Sequence, residues 1–349
     1  MSRIFPADEF MFQTTARERL LNFLSNQKTG AENIRLEVLT PDASTREFFR
    51  IDWHNQTAIA CIYGESFVAV EHNYLDVTEL FLESRLPVAE IFAFDEASGI
   101  IILEDFGDRI LRDVLKKTND EAREDFLNEA IRLIARIQAA TPKAFELNSI
   151  AAKLKFDEEK LGWELNFFKT HYFESLKKQK LSGADERRLS EEFTEIAREL
   201  ETKASVLCHR DFHTANLMFD RQNRLRIIDH QDARLGSVTY DLVSLLLDRV
   251  SAPPSRAWVR EKRLFFLSER EKLGLETIDP DVFAGEFHLQ TIQRCLKATG
   301  TFSYQSVFRQ KAHFIPFIEP MLQIVLQACE RLDRFPTLQR IVQLELEIV

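Results

Sequence analysis

The stretch Val206 to Asp241, VLCHRDFHTANLMFDRQNRLRIIDHQDARLGSVTYD, constrains this chain more than any other. Its apolar runs are short and are parted by polar segments carrying Asp211, Asn216 and Asp229, so it reads as strand, loop, strand, turn, strand, with residues 221–224 at the turn. A buried helix over Thr239 to Arg249 follows it. The rest of the chain must hold this arrangement in place.

Within the stretch, His209-Arg210-Asp211 is followed after four residues by Asn216, and the next strand ends at Asp229. This H-R-D-x-x-x-x-N spacing is that of a phosphoryl-transfer loop, where the chemistry needs an oriented hydroxyl and neutralised phosphate charge. Asp211 would orient, or take the proton of, the attacking hydroxyl. Asn216 and Asp229 would offer hard oxygens to Mg2+, with Asp232 near enough in sequence to assist. A single loop aspartate is commonly a backbone cap, but the joint spacing after an apolar strand is not expected from capping. His209 reads as a brace for the loop, and Asp241 as a carboxylate satisfying N–H groups in a helix first turn. The path from Asp229 to Tyr240 is too short for the activation segment on which a peptide would lie, so a small-molecule acceptor follows.

Before this stretch, Phe10 to Gln27 has helical spacing, and IRLEVLT, FFRIDW and TAIACIY read as a three-strand antiparallel meander. A helix over Val70 to Ser84 and two more strands, VAEIFAFD and IIILED, complete a small sheet. Beyond Glu104-Asp105-Phe106-Gly107 strand signals nearly vanish. Helices begin at the Thr118 to Glu121 capping box, at Asp157 and near Ala184, and later breaks fall at residues 274–280, 300–303 and 335–336. With 29 Phe against 10 Gly and 10 Pro, the chain suits packed helices better than loops. The expectation is an α+β chain with a small antiparallel-sheet lobe over residues 1–105 and a large helical lobe over 106–349.

A net charge of −10 argues against nucleic acid as a partner. The four cysteines make no C-x-x-C and suit a reducing cytoplasm. The N-terminus lacks signal-peptide regions, and no apolar run approaches the ~20 residues of a membrane span. Oligomeric state leaves no trace in the sequence.

The segments LTPDASTREFFR (39–50), 100–108, 206–249 and QRCLKATGTF (293–302) resemble the aminoglycoside phosphotransferase/choline kinase-like superfamily, most closely its N-acetylmuramate/N-acetylglucosamine anomeric kinase branch of bacterial cell-wall recycling. The resemblance implies a bilobal protein-kinase-like fold, ATP with its adenine against the backbone of Glu104 to Phe106, and Mg2+ at Asn216 and Asp229. It also implies γ-phosphoryl transfer to the C1 hydroxyl of an amino sugar. Two features depart from kinases of this fold. The strand Thr57 to Tyr63 contains no lysine, a gap the anomeric-kinase branch shares, and there is no G-x-G-x-x-G. Ser44 and Thr45 would then meet phosphate in the first turn, with Arg46 or Arg50 supplying charge. Arg294 and Lys297, one turn apart, would meet a sugar carboxylate or phosphate, or else lie on a solvated basic face. The rival readings are a kinase of another acceptor, such as an aminoglycoside or choline, and a nucleotide-binding pseudokinase.

Overall fold

The computed structural model describes residues 14–27, 36–39 and 46–347. They fall into two compact units. One runs up to Leu111 and takes in Leu217–Gln231; the other holds Arg112–Asn216 and the chain from Asp232 onward.

The first unit is built on an antiparallel sheet of β1 (Leu36–Leu39), β2 (Glu47–Trp53), β3 (Gln56–Ile62), β4 (Ile91–Asp95) and β5 (Ile100–Glu104), in the order β1-β2-β3-β5-β4. The β2–β3 hairpin turns tightly at His54, whose φ of 52° is left-handed. Helix α1 (Ala16–Asn26) starts at a capping box between Thr15 and Glu18 and lays Leu20, Phe23 and Leu24 on the sheet face formed by Ile51, Trp53, Ile100 and Ile102. On the opposite face, Ile101 and Leu103 meet Tyr74 and Leu75 of helix α2 (Asn73–Glu83). That is why IIIL is an unbroken apolar run: β5 is covered on both sides, so neither side-chain set faces water.

The sequence division at residue 105 is contiguous, whereas the structural one is not. β6 (Arg109–Ile110) pairs with β8 (Leu217–Phe219), which pairs with β9 (Leu225–Ile227). The hairpin is fastened further by Ile227 N–H to the Pro87 carbonyl (2.9 Å) and by Arg226, which reaches the Val88 carbonyl (3.0 Å) and the Glu104 carboxylate (2.6 Å).

The second unit is mostly helical. It comprises α3 (Leu111–Leu115), α4 (Asp120–Ala139), α5 (Thr141–Glu146), α6 (Ile150–Lys153), α7 (Glu158–Phe168), α8 (Gly183–Lys203), α9 (Tyr240–Leu247), α10 (Arg256–Lys272), α11 (Pro280–Phe308), α12 (Ile318–Leu332) and α13 (Pro336–Glu347). Its strands are β7 (Val206–Cys208) and β10 (Arg234–Gly236), an antiparallel pair. β10 has no apolar signature and escaped the sequence reading; its Gly236 is required because a Cβ there would stand 2.9 Å from Cys208 Sγ.

Helix α11 crosses the expected break at residues 300–303 without interruption. Gly300 is there for packing: a Cβ would come 2.7 Å from Phe168 Cα, so only glycine allows α11 and α7 this close. The stretch Ala312–Leu332 does reach the length and apolarity of a membrane span, contrary to the sequence expectation. It is a 3-10 segment followed by α12, which buries Met321, Leu322, Val325 and Cys329 and packs on α11 and α13. All four cysteines are buried free thiols.

Candidate active site

In the second unit the loop after β7 is set by a buried carboxylate. His209 N–H and Arg210 N–H donate to Oδ2 and Oδ1 of Asp241, at 2.7 and 3.1 Å. Asp241 lies in the first turn of α9 and is wholly buried. It therefore serves the loop's amides and not, as its position at a helix start suggests, the first turn of its own helix. Burial pushes its carboxyl up to about 6, a shift the two N–H groups and His209 hold back. These two bonds hold Arg210 at φ 84°, a left-handed conformation costing about 1–3 kcal/mol for a residue with a Cβ.

The strained turn delivers Asp211. Its Oδ1 accepts from Arg294 Nη2 at 3.1 Å and from Lys297 Nζ at 3.2 Å, both on α11. The expected alternative of a solvated basic face is overturned, because Arg294 is 4% exposed and both cations point at the Asp211 carboxylate. Burial opposes the charge on Asp211, but Lys297, Arg294 and Arg210 outweigh it and hold the carboxyl well below the usual range. Asp211 is thus ionised at any physiological pH. Burial and the neighbouring Arg294 pull Lys297 below its ordinary value.

Further partners fix these groups. Arg294 Nη2 also donates to Ser244 Oγ at 2.9 Å, and Arg210 Nη1 lies 2.7 Å from Asp232 Oδ2. Asp232 therefore holds the loop arginine. Gln293, the residue before Arg294 on α11, donates to buried Glu164 at 2.7 Å. Asn216 Nδ2 donates to the Asp211 carbonyl at 2.9 Å. Nothing in the sequence pairs Asp232 with Arg210 or Glu164 with Gln293, since the partners are far apart and common in type.

In the first unit, Arg46 Nη2 stands 3.5 Å from Asp229 Oδ1, and the guanidinium lies over the rings of Phe48 and Tyr63 at 5.5 and 5.8 Å. Asp229 follows β9 at φ 63°, another left-handed non-glycine, and accepts from Gln231 Nε2 at 3.0 Å. Its neighbour His230 is anchored by Thr78 Oγ1 at 2.7 Å and stacks on Phe81. That anchor fixes the backbone that turns Asp229 outward.

Arg50 is not a spare cation. It is bound to Asp105 at 2.9 Å and Asp108 at 2.6 Å, and its charge is spent within the fold. Glu104 uses its N–H on the Glu90 carbonyl and its carboxylate on Arg226, whose guanidinium sits 4.1 Å above the buried Phe106 ring. Ser44 and Thr45 lie outside the described residues. Among the described residues no cluster of three or more His, Cys, Asp or Glu forms a metal cage. Asn216 in the second unit and Asp229 in the first each carry a hard oxygen, the donor type that suits Mg2+.

The profile of the Phosphotransferase enzyme family matches residues 35–275. An N-acetylmuramate/N-acetylglucosamine kinase of Neisseria meningitidis is 26% identical over 270 residues, covering 77% of this chain and 78% of its own. The protein of the same name from Caulobacter vibrioides is 26% identical over 295 residues, covering 83% and 77%. Among solved structures, a choline kinase from Cryptosporidium parvum superposes with a TM-score of 0.57 at 15% identity, covering 91% of this chain and 96% of its own. The α+β architecture is accordingly the protein-kinase-like one.

Proposed function

Since the chain belongs to the Phosphotransferase enzyme family and is an enzyme that phosphorylates a hydroxyl, we propose that it transfers the γ-phosphoryl of ATP to the anomeric C1 hydroxyl of N-acetylmuramate or N-acetylglucosamine. The observation that carries this reading is the pair of cations on Asp211 Oδ1. They favour an acceptor that is anionic or neutral. A choline or aminoglycoside would bring its own positive charge to Arg294 and Lys297, at a Coulombic cost. The relatives' names supply the sugar, and the lactyl carboxylate of N-acetylmuramate suits the same cations.

In this mechanism Asp211 holds the C1 hydroxyl by accepting its hydrogen bond. As the O1–phosphorus bond forms and the bond from the γ-phosphorus to the β-phosphate oxygen breaks, the hydroxyl proton passes to the carboxylate. A carboxylate so strongly stabilised is a weak base, so its main work is orientation. A hemiacetal hydroxyl, more acidic than a simple alcohol, fits such a base. Arg294 and Lys297 keep the carboxylate ionised and fixed before the acceptor arrives.

Bound Mg2+, held by Asn216 and Asp229, would neutralise phosphate charge. Arg46, beside Asp229, supplies the cation that the lysine-free β3 lacks, and Ser44 and Thr45 are assigned to the phosphates with it. Adenine is assigned to the backbone of the 104–106 segment, at Phe106 in preference to the committed Glu104 N–H. Residues 1–105 would cover the nucleotide, and 106–349 would carry catalysis and acceptor binding. The reaction is placed in the cytoplasm, which suits four free buried thiols.

Measuring ADP release with Mg-ATP across N-acetylmuramate, N-acetylglucosamine, choline and an aminoglycoside tests the reading. Turnover on the two sugars is expected. Turnover confined to choline or the aminoglycoside overturns it, and ATP binding with no turnover on any acceptor points to the pseudokinase.

A further inference from the structure

The second unit contains a cavity of about 320 Å³, at the small end of the size range of ligand pockets, whose lining excludes Asp211. Helices α10, α11 and α12 supply its walls, and Leu247, Val259, Phe287 and Ile324 give it apolar surface. Four arginines line the same space: Arg256, Arg260 and Arg263 on one face of α10, and Arg331 in the last turn of α12. In a chain with a net charge of −10 such a concentration is unusual.

These arginines are not engaged elsewhere. Among the described residues none of the four makes an ion pair or a side-chain hydrogen bond. The nearby Glu261 is taken by Lys262 at 3.6 Å, and Asp281 acts on Arg263 only at longer range. Arg263 lies 5.4 Å over the Phe287 ring, and its Nη1 is buried with no hydrogen-bond partner. A buried, charged donor without an acceptor is costly, and an anion entering the cavity would satisfy it. His288, also on the wall, is pushed down to about 4 by burial and then by Arg263 and Arg331, so it is neutral at pH 7 and adds no charge.

We propose that this cavity binds the phosphoryl group of a small phosphomonoester, at a site separate from Asp211. Guanidinium forks match phosphate oxygens in pairs, and several of them together favour a dianionic phosphate over a single carboxylate. The apolar surface beside them takes the body of the ester, either a sugar or a nucleoside. The inference does not depend on which acceptor the enzyme phosphorylates.

Titration calorimetry with inorganic phosphate, AMP, glucose 1-phosphate and glucose provides the test, with the nucleotide site saturated by a non-hydrolysable ATP analogue. The probes are run on the wild-type chain and on the double variant Arg260→Ala/Arg331→Ala, which alters two exposed side chains outside the proposed machinery. Arg263→Gln is a second, single variant. At least one phosphate ester is expected to bind the wild type and to lose about tenfold or more in affinity in the double variant, with kcat and melting temperature unchanged. Glucose is expected not to bind. Preference for AMP identifies a nucleoside phosphate and preference for glucose 1-phosphate a sugar phosphate. Absence of saturable binding by any phosphate, or equal affinity in wild type and both variants, overturns the site.

Discussion

Lys297 Nζ lies 3.2 Å from Asp211 Oδ1, although 86 residues of chain separate the two. Arg294 reaches the same oxygen, so the carboxylate is bound from α11 by two cations and its ionisation is secured by the fold. The relationship makes the register of α11 against the loop after β7 matter.

Replacing Lys297 with Met should therefore lower kcat by roughly 100-fold, the scale of removing one preorganised charged donor. It should also raise KM for N-acetylmuramate, which carries a carboxylate, more than for N-acetylglucosamine, which does not. Steady-state kinetics on both sugars checks this. Equal changes in the two KM values would mean that Lys297 serves Asp211 alone.

Asp241 makes a prediction about pH. Its carboxyl titrates at about 6 when folded against an ordinary value of 3.8, so between these values the folded state holds a proton that the unfolded state has released. Stability from this group is then greatest at low pH and falls as pH rises through the window, by about 3 kcal/mol in all. Asp241→Asn removes the titration. In urea unfolding, the stability difference between wild type and variant should shift by about that amount in favour of the variant from pH 4 to 6, and stay level above. A constant difference across the window would show that Asp241 is not the raised carboxyl.

Arg46→Ala should raise KM for ATP and lower kcat, while Arg46→Lys keeps the charge and restores part of both. If ATP kinetics are unchanged in Arg46→Ala, the residue is only the 3.5 Å partner of Asp229 and the missing lysine has another substitute.

Gly300→Ala forces a Cβ to within 2.7 and 2.9 Å of the Phe168 backbone, which cannot rotate aside. A loss of about 1–3 kcal/mol in chemical unfolding is expected, with α11 and α7 pushed apart. A neutral substitution would mean the two helices slide without strain.

The strands around residues 206–227 and the small sheet were legible because each rests on a local signal. Alternating or continuous apolar runs marked β2, β3 and β5, and the Asp211 to Asn216 spacing marked the loop. What stayed hidden depends on partners distant in sequence. Asp241 reads as a helix-start residue, and only the tertiary approach of α9 to the loop after β7 gives it the amides of His209 and Arg210. Arg294 and Lys297 read equally as a wet basic face until α11 buries them on Asp211. Gly300 read as a stop for the converse reason, since helical glycine is locally unfavourable and here its use is a close crossing.

Phosphorus NMR of the product formed from Mg-ATP and N-acetylglucosamine tests the central proposal most directly. The account predicts a phosphomonoester resonance coupled to the anomeric proton, no product from the 1-O-methyl glycoside, and loss of the resonance in Asp211→Asn. A phosphate located on any other hydroxyl, or product formed from the methyl glycoside, would contradict it.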